Sequence, residues 1–338
     1  MLSLAARFYC DPDVAALEQR TIFRRSWQLI GAADALTGPG DHIVGELGGV
    51  PIIAVRGADG GLRAFHNVCR HRAGPLALED GRGAKALHCK YHGWTYTLTG
   101  QLRSAPEMQD AADFDVSRIC LPPARVAQWS TLVFGALDVA PGLDEMLDGI
   151  ETQAQATLAK PLRFDRRVSY ELACNWKVYV DNYLEGYHLP HIHPALSRLL
   201  DYRSYTTTCA RWHSVQHSPL ERAQGAPYGG GDAFYYFVWP NTMLNCLPGR
   251  LQTNRVVPIA VDRCRVDFDY YYPADSTGDA SRAQDQHFSD QVQIEDAAIC
   301  EAVQKGLASG SYEAGRLNPK RETGVMHFHE LLRAAYAQ

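Results

Sequence analysis

Two cysteine–histidine pairs constrain this sequence more than any other feature. Cys69 and His71 form the first pair, and after seventeen intervening residues Cys89 and His92 form the second. Each pair lies at a predicted β-turn, so two loops can bring four ligands to one site. Thiolates neutralise ferric charge, whereas neutral imidazoles leave an iron–sulfur cluster less negative and raise its reduction potential. The two pairs therefore predict a [2Fe–2S] cluster with two cysteine and two histidine ligands.

A structural zinc site is the alternative, because two cysteines and two histidines also satisfy tetrahedral Zn²⁺. Zinc sites usually place two residues between paired ligands, and their later histidines lie on a helix. Here one residue separates Cys69 from His71, and both pairs mix the two ligand types. Gly74-Pro75 and Gly93-Trp94 follow the pairs and provide tight turns and apolar cover, which suits a buried cluster. The sequence favours the cluster over zinc.

A second group of metal-ligand residues lies further along the chain. It falls within nine residues and comprises Glu185, His188, His191 and His193. A predicted helix ends in the first imidazole, is broken at Pro190 and resumes with further imidazoles. A ferrous oxygenase site needs two histidines and one carboxylate, and it leaves positions open for O₂ and substrate. The third ligand of such a site must come from elsewhere in the chain.

Asp296 is the predicted third ligand. It lies in an acidic stretch, Gln293 to Glu301, whose apolar spacing is helical. The preceding residue, Glu295, would point about 100° away on a helix. The alternative is that Asp296 and Glu301 form an exposed helix face, as most charged helical residues do.

Composition excludes several classes of protein. A net charge of −5 and a pI near 6.2 give no basic surface for nucleic acid. With 338 residues, 46% hydrophobic and 21% charged, the chain suits two globular domains. No apolar run approaches the length that spans a bilayer, and Met1 to Val14 does not resemble a signal peptide. Nine dispersed cysteines, an odd number, predict a reduced cytoplasmic protein rather than a disulfide framework.

The pattern along the chain predicts an α+β protein whose smaller all-β part comes first. Helical spacing extends over Asp13–Leu29, and short β-rich runs follow from His42 to Phe65. The turn at Pro141-Gly142 marks a predicted domain boundary. Beyond it we predict helices over Asn175–Tyr187 and Asp285–Leu307, with a strand-rich block from Ser204 to Tyr272.

Three further stretches carry a family resemblance. They are Asn175–Lys177, Asp181–His188 and His193-Pro194. Together with the two metal motifs, and in this order along the chain, they closely resemble the α subunits of Rieske non-haem iron oxygenases. The resemblance runs from about Phe8 to about Leu332, and the branch resembled includes choline monooxygenase-like, carnitine and glycine-betaine oxygenases. Aromatic ring-hydroxylating dioxygenases share the motifs. The resemblance implies an N-terminal helical segment at 1–35 that packs on the catalytic domain, a Rieske [2Fe–2S] domain at 36–140, and at 141–338 a helix-grip (START/SRPBCC-like) catalytic domain with a curved antiparallel sheet.

The resemblance also implies roles for individual residues. The family pattern Asp/Glu-x-x-His-x₄-His matches Glu185, His188 and His193, so these histidines and Asp296 would hold a mononuclear Fe²⁺. Glu185 would then be a bridging carboxylate that links this site to His92 of a neighbouring subunit in a homotrimer. His191 departs from the pattern and remains a back-up ligand.

The expected function is reductive activation of O₂, the co-substrate, to hydroxylate a small molecule. A quaternary or methylated amine is the first substrate class, through oxidation or N-dealkylation, and mono- or dioxygenation of an aromatic ring or aromatic acid is the alternative. Aromatic side chains can hold a quaternary ammonium by cation–π attraction, although they also fill cores. Ten aromatic residues occur in the stretch from position 183 to position 239 of the sequence: Tyr183, Tyr187, Tyr202, Tyr205, Tyr228, Phe234, Tyr235, Tyr236, Phe237 and Trp239.

Electrons must come from outside this chain. No GxGxxG dinucleotide fingerprint follows a predicted strand, so no bound flavin or NAD is expected. We therefore expect a separate NAD(P)H-dependent reductase, with or without a ferredoxin, and no nucleic-acid or membrane partner. Two rival classes remain, a soluble electron carrier built on the Rieske domain alone and a zinc-binding interaction protein.

Overall fold

The computed structural model describes residues 2–138, 141–220, 230–275 and 279–337. Tyr228, one of the ten aromatic residues, lies outside the described residues. The chain divides into two compact units, one of Ile22–Pro141 and the other of Met1–Thr21 together with Gly142–Gln338. The predicted N-terminal segment 1–35 is therefore divided between the two units.

The Ile22–Pro141 unit is built from two antiparallel sheets. Its strands are β1 (Gln28–Ala32), β2 (His42–Leu47), β3 (Val50–Arg56), β4 (Leu62–His66), β5 (Leu87–His88), β6 (Thr95–Tyr96), β7 (Leu102–Ser104), β8 (Pro123–Trp129) and β9 (Leu132–Ala136). Short 3₁₀ turns occupy Phe23–Arg25, Ala33–Ala35 and Val116–Arg118. The larger sheet has six strands in the order β1-β9-β8-β4-β3-β2, and the smaller has three in the order β5-β6-β7. Cys69 and Cys89 pack in the apolar core beside the smaller sheet.

The predicted helix over Asp13–Leu29 is wrong in its second half. Helices α1 (Arg7–Cys10) and α2 (Pro12–Thr21) end before it, and β1 follows instead. All five residues of β1 are buried, and Leu29 pairs with Phe134 of β9. Pairing within a sheet and burial on both faces outweigh the helical spacing of the apolar residues.

The second unit is a seven-stranded antiparallel sheet with helices. The strands are β10 (Leu162–Leu172), β11 (Thr206–Cys209), β12 (His213–Leu220), β13 (Gly231–Val238), β14 (Thr242–Leu247), β15 (Arg250–Ala260) and β16 (Arg263–Pro273), in the sheet order β10-β16-β15-β14-β13-β12-β11. The remaining helices are α3 (Leu143–Met146), α4 (Ile150–Gln153), α5 (Gln155–Leu158), α6 (Trp176–Tyr183), α7 (Leu189–Ile192), α8 (Pro194–Ser197), α9 (Asp279–Ala308) and α10 (Thr323–Tyr336). The predicted α+β class is confirmed.

Two helices of this unit, α6 and α9, flank the predicted iron site: Asp296 lies on α9, whereas His188 and His193 follow α6 at the two ends of α7. Helix α6 begins at Asn175, whose side chain accepts a hydrogen bond from the Lys177 N–H and caps the helix. It ends at Tyr183, four residues before the predicted end, and a turn leads from it to α7. Helix α9 includes the whole of the predicted helix Asp285–Leu307. No helix in the described ranges is both long and apolar enough to cross a membrane.

A buried ion pair connects helix α2 with helix α6. The Lys177 ammonium lies 2.6 Å from the Glu18 carboxylate, and both side chains are almost fully inaccessible to solvent. Glu18 also accepts hydrogen bonds from the Trp176 indole at 2.7 Å and from the Tyr336 hydroxyl at 2.5 Å. Burial without such partners would leave an uncompensated charge. The N-terminal residues are therefore an integral part of the unit that contains α6 and α9.

Candidate metal centres and substrate cavity

Cys69 and Cys89 occupy equivalent positions in two loops with the same backbone hydrogen bonds. In each loop the cysteine N–H donates to the carbonyl five residues later, at 2.8 Å in the first loop and 2.9 Å in the second. The N–H four residues later donates back to the cysteine carbonyl, at 3.0 Å in both loops. The residues at that fourth position, Ala73 and Gly93, are both left-handed, with φ of 57° and 76°. The two loops thus present their cysteines in the same way.

The two thiols lie close together inside the unit. A Cβ atom on Gly74 would lie 2.9 Å from the Cys89 sulfur, so a glycine is needed where the loops approach each other. Burial and the neighbouring thiol of Cys69 raise the pKa of Cys89. The N–H groups of Tyr91 and His92 donate to its sulfur and act in the opposite direction. A bound iron ion would add the positive charge that deprotonates such a thiol.

The two imidazoles lie on the solvent side of the thiols. The rings of His71 and His92 are 4.5 Å apart, and both residues are exposed, whereas both cysteines are buried. Trp94 stacks on His71 with the ring planes 7° apart. Tetrahedral zinc would require all four donors to converge on one point. In the described part of the chain, no three of these four ligand atoms lie within 4.8 Å of one another. The arrangement suits two irons, one on sulfur and one on nitrogen.

Tyr96 directs its hydroxyl at one of the thiols. Its oxygen accepts a hydrogen bond from the Arg70 N–H at 2.9 Å and lies 3.3 Å from the Cys69 sulfur. Burial and the contact with Cys69 raise the pKa of Tyr96, so the hydroxyl keeps its proton and can donate a hydrogen bond to a deprotonated sulfur. Hydrogen bonds to cluster sulfurs help to set the reduction potential.

In the second unit the structure brings together the three predicted iron ligands. One donor atom each from His188, His193 and Asp296 lies within 4.8 Å of the other two. Nε2 of His193 is 2.9 Å from Oδ1 of Asp296, and Nε2 of His188 is 3.8 Å from the same oxygen. His191 is exposed on α7 and does not belong to this group. The group is a two-histidine, one-carboxylate set of the kind that binds Fe²⁺.

Each of the two histidines has a carboxylate at its other nitrogen. Nδ1 of His188 donates to Glu185 at 2.6 Å, and Nδ1 of His193 donates to Glu295 at 2.7 Å. Glu185 also accepts the N–H groups of Tyr187 and His188, which fixes it at the end of α6. Histidines that bind metals almost always donate their second N–H in this way, because it fixes the ring and the tautomer. Both rings are thus oriented to bind a metal ion through Nε2.

Two residues of this site were not identified from the sequence. Glu295 was treated only as the residue beside Asp296, and Asn182 was not singled out. The Asn182 amide donates to Oδ1 of Asp296 at 2.6 Å and fixes that carboxylate. The need of every ligand histidine for a partner at its second nitrogen was the available signal for Glu295.

The electrostatics of His193 fit a bound cation. Burial alone would lower the pKa of His193, but hydrogen bonds to Asp296 and Glu295 more than offset it, and the pKa is raised above 6.5. The site therefore favours positive charge at this ring. A divalent ion held by His193 would supply that charge in place of the proton.

A cavity of about 120 Å³ opens beside these ligands, between the sheet and α9. Three of the ten aromatic residues considered as contacts for a quaternary ammonium line this cavity: Tyr183, Tyr205 and Tyr235. The hydroxyl of Tyr183 donates to Asn245 at 2.7 Å and that of Tyr205 donates to Gln216 at 3.0 Å, so both rings are held in place. Others of the set are buried in the core: Tyr236, Phe237 and Trp239.

A second cavity, of about 510 Å³, borders one of the proposed metal ligands, His188. Glu185 and His188 line both cavities. The second is lined by further ionisable side chains, including Tyr9, Asp181 and His329, of which Asp181 accepts hydrogen bonds from the other two. Glu185 can therefore be reached without passing through the first cavity.

Comparison with known families agrees with these two sites. Residues 26–120 match the family model of the Rieske [2Fe-2S] domain. Residues 160–338, more than half of the chain, match the ring hydroxylating alpha subunit (catalytic domain). The fold and the cofactors expected from the resemblance, a Rieske domain with its cluster and a mononuclear iron catalytic domain, are confirmed.

Individual relatives agree with the family models. The chain is 36% identical to the chloroplastic choline monooxygenase of Arabidopsis thaliana, over 96% of this chain and 81% of the relative. It is 30% identical to the carnitine monooxygenase oxygenase subunit of Escherichia coli K12, over 98% and 92%. A solved quaternary ammonium Rieske monooxygenase, described for carnitine oxidation and inter-subunit electron transfer, superimposes with a TM-score of 0.91 at 26% identity, over 100% and 96%. The chain therefore belongs to the Rieske non-haem iron oxygenases, as a ring-hydroxylating-type α subunit and an oxidoreductase.

Proposed function

We propose that this chain is the terminal oxygenase of a multicomponent system that hydroxylates a methylated quaternary amine. The observation that carries this proposal is the pair of imidazoles in the cavity wall, each fixed by a carboxylate at Nδ1 and directed at Asp296 through Nε2. Three tyrosines line the same cavity, and their rings can hold a methylammonium group.

Each cofactor has a proposed ligand set in this chain. The [2Fe–2S] cluster would be held by Cys69, His71, Cys89 and His92. The mononuclear Fe²⁺ would be held by His188, His193 and Asp296. When bound, the two centres supply electrons and a site for the reduction of O₂.

The protein side chains position the reaction. Asn182 and Glu295 keep Asp296 and His193 in their ligand orientations through the hydrogen bonds described above. The aromatic walls hold the ammonium group so that one of its C–H bonds faces the metal site. When the hydroxylated carbon is attached to nitrogen, the product breaks down to an amine and an aldehyde.

Two kinds of support favour the proposed substrate class: the names of two relatives and the aromatic lining of the cavity. The two relatives described above are named for choline and for carnitine, both quaternary amines. The aromatic residues that line the cavity suit such a cation. The alternative is oxygenation of an aromatic ring, and the similar naphthalene 1,2-dioxygenase structures are 19–20% identical, so they support a shared fold alone.

We assign to Glu185 the role of an electron bridge between subunits of a homotrimer. Its carboxylate is bonded to His188 on one side and borders the second cavity on the other. His92 is exposed and can approach such a carboxylate from another copy of the chain. The similar carnitine-oxidising enzyme is described for inter-subunit electron transfer, which supports this arrangement.

Electrons would come from a separate NAD(P)H-dependent reductase, with or without a ferredoxin. The chain has no dinucleotide-binding fingerprint of its own. The carnitine relative is named an oxygenase subunit, which implies a further component in that system. A cytoplasmic location agrees with the odd number of dispersed cysteines.

Oxygen uptake coupled to product formation tests the proposed function. Purified protein, reconstituted with iron and a surrogate reductase, is supplied with NADH and a panel of quaternary amines and aromatic acids. We expect O₂ uptake matched by oxidised product for members of the amine group only. Coupled oxidation of aromatic acids alone, or of neither group, would overturn the proposal.

Two variants provide the control. His188→Ala removes a proposed ligand and should abolish turnover while the cluster absorbance remains. His191→Ala changes the exposed histidine three residues away and should keep most of the activity. Loss of iron in His191→Ala with retention in His193→Ala would reverse the ligand assignment.

A further inference from the structure

The part of the cavity wall formed by strand β15 is polar. Residues 250, 252 and 254 of β15 point to the same side of the sheet, because side chains alternate along a strand. These residues, Arg250, Gln252 and Asn254, line the cavity and are at most 5% exposed. Asn245 of β14 lies directly opposite Gln252 and also lines the cavity. A purely apolar substrate would cover these groups without giving them hydrogen bonds.

Arg250 is held in position from behind. Its Nη1 lies 2.6 Å from Oδ1 of Asp285, and both side chains are buried. Asp285 in turn accepts a hydrogen bond from the Tyr272 hydroxyl at 2.8 Å. Arg250 lines the cavity, whereas Asp285 is not among the described residues that do. The pair therefore fixes a guanidinium at the cavity wall, and guanidinium geometry matches a carboxylate.

Helix α9 gives the distance between this guanidinium and the metal ligands. It carries Asp285, which contacts Arg250, and Asp296, the proposed ligand. At 1.5 Å per residue, the two positions are roughly 16 Å apart along the helix. Ser289 lies between them and donates to Gln252 at 3.2 Å in the cavity wall. The guanidinium is thus at the end of the cavity away from the metal site.

The two ends of the cavity have opposite charge preferences. Around the two histidines lie three carboxylates, Glu185, Glu295 and Asp296, which outweigh the charge of one divalent ion. A cation is therefore favoured at that end. At the other end Asp285 balances Arg250 in charge, but of this pair only Arg250 lines the cavity, so the surface that a ligand meets there favours an anion.

We propose that Arg250 is the centre of an anion subsite and that the substrate is a zwitterion, a methylammonium carrying a carboxylate several bonds away. The proposal rests on the proposed function and narrows it to one substrate class. The ammonium lies among the aromatic rings beside the metal ligands, and the carboxylate contacts Arg250. An ammonium that carries an alcohol offers the guanidinium one neutral acceptor and cannot form the bidentate pair of charged groups that a carboxylate forms.

Binding of an acid and of its methyl ester tests this subsite directly. The probes are trimethylammonium carboxylates with one, two or three methylenes between the charges, each compared with its ester and with choline. Dissociation constants are measured by calorimetry on the iron-loaded protein without O₂, and turnover is measured by O₂ uptake. We expect the best acid to bind about ten- to hundredfold more tightly than its ester. This comparison uses the unmodified protein, so it does not depend on how any variant folds.

A double variant tests whether the preference for acid over ester depends on Arg250 and its partner Asp285. Arg250→Met with Asp285→Asn removes both buried charges, and we expect it to abolish the preference for acid over ester while the ester binds within about twofold of its original affinity. The matched control is Arg255→Met with Asp267→Asn, a buried pair from the opposite face of β15, which should keep the preference.

The outcomes separate this inference from the proposed function. Equal binding of acid and ester, or a preference that survives in the Arg250 double variant, would overturn the subsite while quaternary amines remain substrates. Failure of every ammonium compound to bind or to be oxidised would overturn the proposed function itself, and this inference with it.

Discussion

Glu295 on helix α9 accepts a hydrogen bond from Nδ1 of His193 at 2.7 Å, although 102 residues separate them in sequence. The next residue on the same helix, Asp296, faces Nε2 of the same ring at 2.9 Å. Two adjacent carboxylates thus contact the two nitrogens of one imidazole.

This contact predicts the effect of Glu295→Gln. The variant keeps the shape of the side chain but loses the negative charge that favours donation from Nδ1. We expect iron to bind about ten- to hundredfold more weakly, as is usual when such a partner is removed. Titration of metal-depleted protein with Fe²⁺ measures this change. Glu301→Gln, an acid on the same helix that accepts the Ala173 N–H, is the control, and equal affinities in both variants would contradict the prediction.

Glu185→Gln should separate cluster reduction from electron delivery. At saturating iron we expect both centres to be filled and the cluster to be reduced normally. Reoxidation of the cluster on addition of substrate and O₂ should be slower by at least about tenfold, because the carboxylate that orients His188 is lost. Single-turnover absorbance at the cluster band follows this step. Reoxidation at the original rate would remove the bridging role and the main argument for a trimer.

Tyr96→Phe should lower the reduction potential of the cluster. The substitution removes the hydroxyl that lies 3.3 Å from the Cys69 sulfur and little else. One hydrogen bond contributes about 1 kcal/mol, which corresponds to roughly 40 mV for a one-electron couple. A dye-mediated redox titration measures the change. Tyr91→Phe alters an exposed ring in the same region and should leave the potential unchanged.

Lys177→Met should destabilise the unit that contains α6 and α9. It leaves the buried Glu18 carboxylate without its cation, and breaking a buried pair in this way costs about 3–5 kcal/mol. Urea unfolding, monitored by tryptophan fluorescence, reports the change in the free energy of unfolding. Arg211→Met breaks an exposed ion pair with Glu145 and should change stability by less than about 1 kcal/mol. Similar values for the two variants would show that the buried pair is not needed.

Iron binding should weaken as the pH falls. Without metal, the carboxylates around His193 raise its pKa above 6.5, so a proton occupies the ring on the acid side of that raised pKa. Fe²⁺ must displace this proton, and its apparent affinity therefore decreases as the pH falls through the raised pKa. Fe²⁺ titrations between about pH 8 and about pH 6 test the sign. An affinity that rises on acidification would contradict it.

Short local patterns carry more information about the proposed metal ligands than about the structure around them. The two cysteine–histidine pairs and the His188–His193 motif are short segments whose spacing already limits their geometry. Glu295 was missed because helical projection turns it about 100° from Asp296, and only the imidazole of His193 reaches both. Strand β1 was assigned to a helix because its partner β9 is more than 100 residues away in sequence. The alternation of the polar residues Arg250, Gln252 and Asn254 is visible in the sequence. Only the packing of α9 against the sheet shows that these side chains face a buried cavity and not solvent.

The two histidine–carboxylate contacts differ in how much of the chain must be in place before they form. Glu185 and His188 are three residues apart, so one turn of backbone suffices for their contact. His193 and Glu295 are 102 residues apart in sequence, so they meet only when α9 is docked in its place in this unit. We therefore expect full affinity for iron only in a completely folded chain. A copy with an undocked α9 would lack Asp296 and Glu295 at this site and would bind Fe²⁺ weakly.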